Sequence, residues 1–219
     1  MRLRNIAGAA EAVAASPMSI DKPEEMKGKW QTLFPGCKSL ALEIGCGKGR
    51  FARQMAANHQ ETAFVAMEMY SSVLYKAIKR LGDEEPSNLR FVCADAMLLT
   101  SYFAEAEVDC IYLNFSDPWP KERHARRRLT SIDFLRRYDK VLKSGGIIEF
   151  KTDNIPLFDW SLTQVPGSPF QLVLMTHDLH ADVELMQGNC MTEYEEKFSA
   201  KGNPICKMIL RKKQDTDGA

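Results

Sequence analysis

The segment from Asp117 to Arg128, which reads DPWPKERHARRR, concentrates residues that can do chemistry. A carboxylate and a tryptophan held between two prolines are followed by five cations within eight residues. The whole chain has 29 Lys+Arg and 29 Asp+Glu, so the positive charge of this segment is local and does not follow from a basic composition. A carboxylate-bearing loop joined to a dense basic run indicates chemistry performed on a polyanion.

A second candidate, the run EIGCGKG at residues 43–49, has the glycine content of a ligand-binding turn. Glycine lets the backbone turn sharply and approach a ligand without a side-chain clash. The spacing is GxGxG, whereas the dinucleotide fingerprint GxGxxG would need a glycine at the position of Arg50. The glycines alone therefore fit either a nucleotide-binding loop or a tight strand-to-helix turn without a ligand.

Acidic residues stand at the ends of five successive predicted strands: Glu43, Glu68, Asp95, Asp117 and Asp153. One such acid is usually a helix cap or part of a solvated turn, but five of them converge on one rim of a parallel sheet. Open α/β sheets bind their ligands along that rim. Glu68 follows Gly49 by 19 residues, and a carboxylate at that position can accept both ribose hydroxyls of a nucleoside.

Short apolar runs alternate along the chain with segments of helical periodicity. The runs cover residues 40–44, 63–67, 89–93, 108–115, 147–150, 172–175 and 205–210, and the amphipathic segments cover 50–58, 71–81 and 131–142. This alternation predicts an α/β fold with a mostly parallel seven-stranded sheet and helices on both faces. The last two runs have little helical pattern between them, and we expect them to form an antiparallel hairpin at the C-terminal edge.

The sequence after the basic run predicts the start of a helix. Thr130 is a good N-cap, and Asp133 follows it in the first turn. Leu129 and Phe134 have the spacing of a hydrophobic staple. The basic run would then end beside a helix N-terminus, whose partial positive charge also favours phosphate.

Composition bounds the size and the environment of the protein. A chain of 219 residues, 45% of them hydrophobic, fits one domain with a full core, and no apolar stretch approaches the roughly 18 residues of a membrane helix. The six cysteines show neither CxxC nor zinc spacing, which predicts a reduced, cytoplasmic protein without disulfides or metal. We expect residues 1–30 to be a mobile or helical N-terminal extension, residues 31–213 the folded domain, and residues 214–219 a polar tail.

Several of these motifs together resemble a known family. EIGCGKG, Glu68, the pair Asp95-Ala96 and the DPWP motif resemble the class I S-adenosylmethionine-dependent methyltransferases, whose fold is a single Rossmann-like domain. More narrowly, YLNFSDPWPKERHARRRL (112–129), FKTDN (150–154) and MTEYEEKF (191–198) are similar to the bacterial tRNA (guanine-N7-)-methyltransferases. That family methylates the variable-loop guanine at tRNA position 46, and the resemblance covers residues 30–210.

The resemblance implies roles for individual residues. It implies a methyl-donor site for S-adenosylmethionine, without a metal, at Glu43, Gly45, Gly47, Gly49, Glu68, Asp95, Ala96 and Asp117. Asp117 would also be the catalytic residue. Contacts to the substrate are implied for Lys121, Asp153, Thr192 and Glu195, and contacts to RNA for Arg123, His124, Arg126, Arg127 and Arg128. Ile155 and Pro156 depart from the family pattern, which has a basic residue and a glycine after TDN.

Three questions stay open at the level of sequence. Trp119 can stack on a base or plug the core beneath its loop. Thr192 and Glu195 also fit a capping box, so they can begin a helix as well as contact a substrate. The third question is function: alternatives are a methyltransferase for a small anionic substrate and a non-catalytic RNA-binding protein on this fold. If the protein is the tRNA methyltransferase that the resemblance implies, we expect it to bind tRNA and not a membrane. We expect it to be a monomer or a homodimer.

Overall fold

The computed structural model describes residues 5–214, and the chain divides into two compact units, residues 1–103 and 104–219. The first four residues of the predicted extension and residues 215–219 of the predicted tail lie outside the described residues. Within residues 5–214, no helix is both long enough and apolar enough to cross a membrane. The proposed division into extension, domain and tail stays a prediction.

The N-terminal unit is built on four parallel strands. They are β1 (Ser19–Ile20), β2 (Ser39–Ile44), β3 (Thr62–Glu68) and β4 (Leu89–Cys93), and they lie side by side in the order β1-β4-β3-β2. The helices are α1 (Ala9–Ala14), α2 (Arg50–Asn58), α3 (Ser71–Lys79) and α4 (Leu99–Tyr102), with 3-10 turns at Pro23–Met26, Trp30–Leu33 and Ala96–Leu98. After their first residues β2 and β3 are buried throughout, as expected of parallel strands covered on both faces.

Part of the predicted extension packs into this unit. The two-residue strand β1 pairs with β4, and Ile6 donates a backbone hydrogen bond to the Ser72 hydroxyl of α3 at 2.9 Å. Trp30 is fully buried, stacks on Phe103 and donates its indole N–H to the Tyr102 carbonyl at 2.8 Å. The sequence predicted a mobile or helical extension before residue 30 and did not indicate β1, because a strand of two residues leaves no periodic pattern.

The C-terminal unit is a mixed arrangement of four strands. They are β5 (Val108–Asn114), β6 (Leu142–Thr152), β7 (Phe170–Thr176) and β8 (Cys206–Lys212), in the order β5-β6-β8-β7. β5 and β6 are parallel, whereas β8 is antiparallel to both of its neighbours. The helices are α5 (Ile132–Val141), α6 (Ile155–Gln164), α7 (Val183–Met186) and α8 (Glu193–Ser199), with 3-10 turns at Glu122–Arg127 and Leu179–Ala181.

The α/β class, the parallel strands and the antiparallel pair at the C-terminal end are confirmed. Each of the seven predicted runs overlaps one strand from β2 to β8, and β1 is an addition among the described residues. The expectation of little helix between the last two strands is wrong, since α7 and α8 lie between them. Their short lengths and polar faces gave no clear periodicity in the sequence.

The predicted start of α5 is wrong by one residue. Ser131, not Thr130, is the N-cap, and its side chain makes no capping hydrogen bond. The Thr130 hydroxyl is buried instead against the Ser161 hydroxyl of α6, at 2.6 Å. A buried hydroxyl must find a partner, and this long-range one replaces the local cap.

Candidate active site

The loop that leaves β2 at residues 45–49, the glycine loop, depends on the conformational freedom of its glycines. Gly45, Gly47 and Gly49 have φ values of +80°, +57° and +73°, in the region that side chains disfavour. The backbone N–H groups of Gly45 and Cys46 both donate to the Met67 carbonyl, at 2.8 and 2.9 Å. A Cβ added at Gly45 or Gly47 would meet nothing within 4 Å, so a ligand has room to approach this backbone.

Gly49 has a second reason to be glycine. It is the N-cap of α2, and a Cβ there would lie 3.0 Å from the ring of Phe91 and 3.1 Å from the Ala77 methyl. The close approach of α2 to its neighbours therefore needs a residue without a side chain. The third glycine of GxGxG serves packing, while the first two leave open space.

Glu68 at the end of β3 holds the glycine loop in place. One carboxylate oxygen accepts the Gly47 N–H and the other accepts the Tyr70 N–H, both at 3.1 Å. The side chain is largely buried, and so is Glu43 at the end of the neighbouring strand β2. Burial, with Glu43 and Glu68 nearby, raises the pKa of the Cys46 thiol well above its usual range. Cys46 is therefore a neutral thiol and not a nucleophile.

Asp95 and Ala96 lie where β4 ends, beside the strand that carries Glu68. Asp95 is exposed and accepts the Met97 N–H at 2.8 Å, while Ala96 is buried. Four exposed apolar side chains, which the motifs had not indicated, follow these strand-end acids: Met69, Tyr70, Met97 and Leu98, which are 44–54% exposed. Apolar pairs that begin one or two residues after an acid at a strand end were the available signal. Carboxylates, accessible glycine backbone and apolar surface together suit a nucleoside.

In the C-terminal unit, the loop at residues 115–120, the DPWP loop, leaves the end of β5 in a strained conformation. Phe115 and Trp119 have φ values of +51° and +41°, and left-handed backbone at non-glycine residues costs about 1–3 kcal/mol each. Phe115 donates its N–H to the Lys151 carbonyl of β6 at 2.8 Å. Asp117 lies exposed between the two strained residues. Strain of this kind is typical of functional loops.

The basic run, residues 121–128, forms a 3-10 turn with most of its cations facing solvent. Lys121, Arg123, Arg126 and Arg127 are exposed, and the Arg126 side chain is 92% exposed. The Arg127 guanidinium lies 4.6 Å from the ring centre of Trp119, whose edge also meets the ring of His124. Trp119 is half-buried, so it does not plug the core, and its ring is in contact with a cation.

Arg128 differs from the other cations of the run. It is half-buried, and its guanidinium donates to the Pro118 carbonyl at 3.0 Å and to the Trp119 carbonyl at 3.1 Å. The same group lies 4.3 Å from the ring centre of Trp160 on α6. The sequence grouped Arg128 with its neighbours, but the fold turns it toward the protein.

Asp153 directly follows β6 and receives a hydrogen bond from an aromatic residue of α8. The Tyr194 hydroxyl donates to Asp153 at 3.2 Å, and its ring contacts the rings of Phe115 and Phe198. Burial, then the charge of Asp153, raises the pKa of Tyr194, so the hydroxyl stays a donor at neutral pH. Asp153 and the DPWP loop are thus linked through Tyr194 and Phe115.

A buried polar cluster, which we call the Lys151 cluster, joins β6 to α8 and to the segment before α8. Glu195 is fully buried, and one of its oxygens lies 2.6 Å from the Lys151 ammonium. Its other oxygen accepts from Asn189 at 2.7 Å and lies 3.1 Å from the His180 ring nitrogen. Thr192 caps α8 by accepting the Glu195 N–H at 2.9 Å. The Thr192 half of the capping box is therefore present, while the Glu195 carboxylate is engaged inside the unit.

Two features here were missed by sequence analysis. Lys151 lies at the end of an apolar strand run, and a lysine in such a place signals a buried ionic partner. Helix α6 begins at Ile155 with Asn154 as N-cap and Pro156 in the first turn, which is itself a helix-start signal. Ile155 and Pro156 thus form a helix start where the family pattern has a basic residue and a glycine.

Known proteins match this chain over nearly its whole length. A family model described as a putative methyltransferase matches residues 37–208. The tRNA (guanine-N(7)-)-methyltransferase of Lachnoclostridium phytofermentans is 48% identical, over 98% of this chain and the whole of that protein. Proteins of the same name from Geobacillus thermodenitrificans and Lactococcus lactis subsp. cremoris are 48% and 43% identical, over 94% and 95% of this chain and 94% and 96% of theirs.

Solved structures with low sequence identity share the fold. The crystal structure of the 16S rRNA methyltransferase KamB aligns with a TM-score of 0.64 at 14% identity, over 85% of this chain and 93% of that one. The antibiotic-resistance methyltransferase Kmr aligns with a TM-score of 0.61 at 13% identity, over 86% and 93% of the two chains. The expected methyltransferase fold is therefore confirmed.

Proposed function

The chain belongs to the tRNA (guanine-N7-)-methyltransferase family, and we propose that it transfers a methyl group from S-adenosylmethionine to N7 of a guanine in tRNA, at variable-loop position 46. The observation that carries the proposal is near-full-length identity of 48% to a protein of that name. The glycine loop and the DPWP loop with its basic run supply the groups that such a reaction needs. We also propose that the enzyme works in the cytoplasm, and its state as monomer or homodimer stays a prediction.

The N-terminal unit has residues that fit the methyl donor. We propose that the Glu68 carboxylate at the end of β3 accepts the ribose hydroxyls of the donor. The methionine part of the donor would lie against the open backbone at Gly45 and Gly47. Exposed Met69 and Met97 offer apolar surface for the adenine. Glu43, Gly49, Asp95 and Ala96 complete the proposed set. When bound, S-adenosylmethionine supplies an electrophilic methyl group on a sulfonium.

The C-terminal unit has residues that fit the guanine. N7 carries a lone pair at neutral pH and acts as an acceptor on the base edge, so no proton must leave it before it reacts. The contribution of the protein is then alignment and charge. We propose that Asp117 and Asp153 accept N–H groups of the guanine and stabilise the base as it becomes cationic, with Lys121 also in contact.

The hydrogen bond from the Tyr194 hydroxyl supports this role of Asp153, because it orients the carboxylate that would accept the guanine N–H groups. Thr192 and Glu195 shape the same region: Thr192 starts α8, and Glu195 anchors it from inside. For Glu195 we therefore propose that its effect on the substrate passes through the placement of α8 and Tyr194.

The exposed cations fit the RNA backbone. We propose phosphate contacts for Arg123, Arg126 and Arg127, with His124 as an additional polar contact. The target base must leave its stack to be reached. A base that stacks on the Trp119 face covered by the Arg127 guanidinium would displace that group.

The proposal is tested by incubating the protein with labelled S-adenosylmethionine and unmodified tRNA, then mapping the methyl group. We expect label at N7 of guanine 46, and none in a matched tRNA that carries 7-deazaguanine at that position. Labelling of small anionic metabolites without tRNA would favour the alternative function. Absence of donor binding by calorimetry would favour a non-catalytic RNA-binding protein.

Asp117 is tested within the same assay. Asp117→Asn keeps the shape of the side chain and removes its charge, which matters most when the guanine becomes cationic. We expect the single-turnover rate at saturating tRNA and donor to fall by about 100-fold, with a smaller change in tRNA affinity. A loss of tRNA affinity with an unchanged saturated rate would remove Asp117 from the catalytic role.

A further inference from the structure

Arg128 makes contacts of a different kind from those of Arg126, the exposed cation two residues earlier. The Arg128 guanidinium donates to two consecutive backbone carbonyls, those of Pro118 and Trp119, at 3.0 and 3.1 Å. It also lies over the ring of Trp160 at 4.3 Å. The Arg126 side chain is 92% exposed, and its nearest carboxylate, that of Asp133, is 3.9 Å away. Two of the five N–H donors of Arg128 are thus used on backbone carbonyls of the protein, and one face of its guanidinium lies against an aromatic ring.

The two carbonyls that Arg128 holds are those on either side of the strained residue. The Pro118 carbonyl precedes the Trp119 nitrogen and the Trp119 carbonyl follows its Cα, so a group that binds both restricts the relative orientation of the two peptide planes that flank Trp119. That residue has a φ of +41°, which a tryptophan adopts only when its surroundings impose it. The contacts of Arg128 provide that constraint on the residue two positions after Asp117.

Trp160 extends the contacts of Arg128 to helix α6. It lies on α6, the helix that begins two residues after Asp153. Arginine suits such a junction, because its planar fork binds two oxygens at once while its face stacks on an aromatic ring. Lysine keeps the charge but offers neither the fork nor the stacking plane.

We propose that Arg128 is a positioning residue, which holds the DPWP loop in the conformation that presents Asp117, and that it is not a tRNA contact. The role rests on the proposed function, in which Asp117 faces the guanine. It separates Arg128 from Arg126 and Arg127 within one run of three arginines. The alternative is that Arg128 binds a phosphate of the RNA like its neighbours.

Two variants and one matched control distinguish these roles by activity. Arg128→Met removes the charge, Arg128→Lys keeps it, and Arg137→Met is the control, because Arg137 also donates to a carbonyl and lies over an aromatic ring, but on α5. We expect both Arg128 variants to lower the saturated single-turnover rate by about 10- to 100-fold. The log–log salt slope of tRNA binding should stay that of the wild type, and Arg137→Met should change neither quantity. A slope reduced by about 0.7–0.9 in Arg128→Met, with an unchanged saturated rate, would overturn the proposal.

A spectroscopic measurement tests the loop without using activity. The chain has three tryptophans, Trp30, Trp119 and Trp160, so 5-fluorotryptophan labelling gives three fluorine resonances. In Arg128→Lys we expect the Trp119 and Trp160 resonances to shift while that of buried Trp30 stays in place, with a urea midpoint close to that of the wild type. In Arg137→Met all three should stay. Unmoved Trp119 and Trp160 resonances would exclude a positioning role, whereas a wild-type protein that fails to methylate tRNA would reject only the proposed function.

Discussion

The glycine loop and the DPWP loop both leave the end of a parallel strand with backbone in the left-handed region, yet different interactions impose that conformation. In the glycine loop the residues themselves permit positive φ, and the nearby Met67 carbonyl and Glu68 carboxylate complete the turn. In the DPWP loop Phe115 and Trp119 resist positive φ. Side chains from elsewhere in the chain must therefore hold it.

The two loops show two ways of stabilising a left-handed backbone, one by local residue type and the other by side chains from other segments. The glycine loop is encoded in the five residues 45–49 and is complete once β3, which carries Met67 and Glu68, pairs with β2. The DPWP loop depends on Arg128, and the α8 segment opposite Phe115 depends on the Lys151 cluster. We expect the first to tolerate distant substitutions and the second to be sensitive to them.

The largest effect is expected from breaking the Lys151 cluster. Lys151→Met leaves the buried Glu195 carboxylate without its cation, and breaking a buried pair in this way costs about 3–5 kcal/mol of unfolding free energy. Urea denaturation measures the cost. The control Lys38→Met removes an exposed pair with Glu61 and should cost less than about 1 kcal/mol.

A double variant sharpens this first prediction. Adding Glu195→Gln to Lys151→Met removes the unpaired charge and should recover part of the lost stability. If Lys151→Met costs no more than Lys38→Met, the cluster does not stabilise the C-terminal unit.

The second effect is expected in donor binding by the N-terminal unit. Glu68→Ala removes the proposed ribose contacts and also the acceptor for the Gly47 and Tyr70 N–H groups. Loss of charge-assisted hydrogen bonds should weaken S-adenosylmethionine binding by about 2–4 kcal/mol, as calorimetry would measure, with tRNA affinity nearly unchanged. Glu61→Ala, an exposed acid of the same unit, is the control. Donor affinity equal to that of the control would remove Glu68 from the site.

The third effect tests how far the glycine loop depends on glycine. Gly49→Ala places a methyl group 3.0 Å from Phe91 at a positive φ, and we expect a loss of about 2–3 kcal/mol in stability. Gly82→Ala has positive φ but open space around its Cβ, so only the backbone cost of about 1–2 kcal/mol should appear. Equal losses would show that packing at Gly49 contributes nothing.

The smallest effect is expected from the exposed arginines. Replacing Arg126 and Arg127 together by alanine should lower the log–log salt slope of tRNA binding by about 1.4–1.8, the value for two lost phosphate contacts. Lys22→Ala with Lys38→Ala removes the same charge from exposed positions of the N-terminal unit and is the control. If the slope changes equally in both double variants, the basic run contributes to tRNA binding only through the net charge of the protein and not through specific phosphate contacts.

Contiguous signals made much of the fold and the conformation of the glycine loop predictable. The apolar runs located seven strands, and the periodic segment at residues 50–58 matches α2 at both ends. The glycine loop with Glu68 was predictable for the same reason, because the φ preference of glycine and the end of a strand are properties of neighbouring residues. The position of Asp117 in a loop after β5 also followed from its local context.

Only the tertiary structure decided which polar side chains face inward. Arg128 and Arg126 belong to one run of cations, yet one binds the protein and the other faces solvent. Lys151 and Glu195 are 44 residues apart, and their pairing buries an acid that the sequence predicted to belong to a capping box or to contact the substrate. Charge and periodicity describe a residue and its neighbours along the chain. The partner that makes burial of a charge tolerable arrives only when distant segments pack. For that reason the sequence determined the elements and the glycine loop, while the tertiary structure decided which charged side chains are buried.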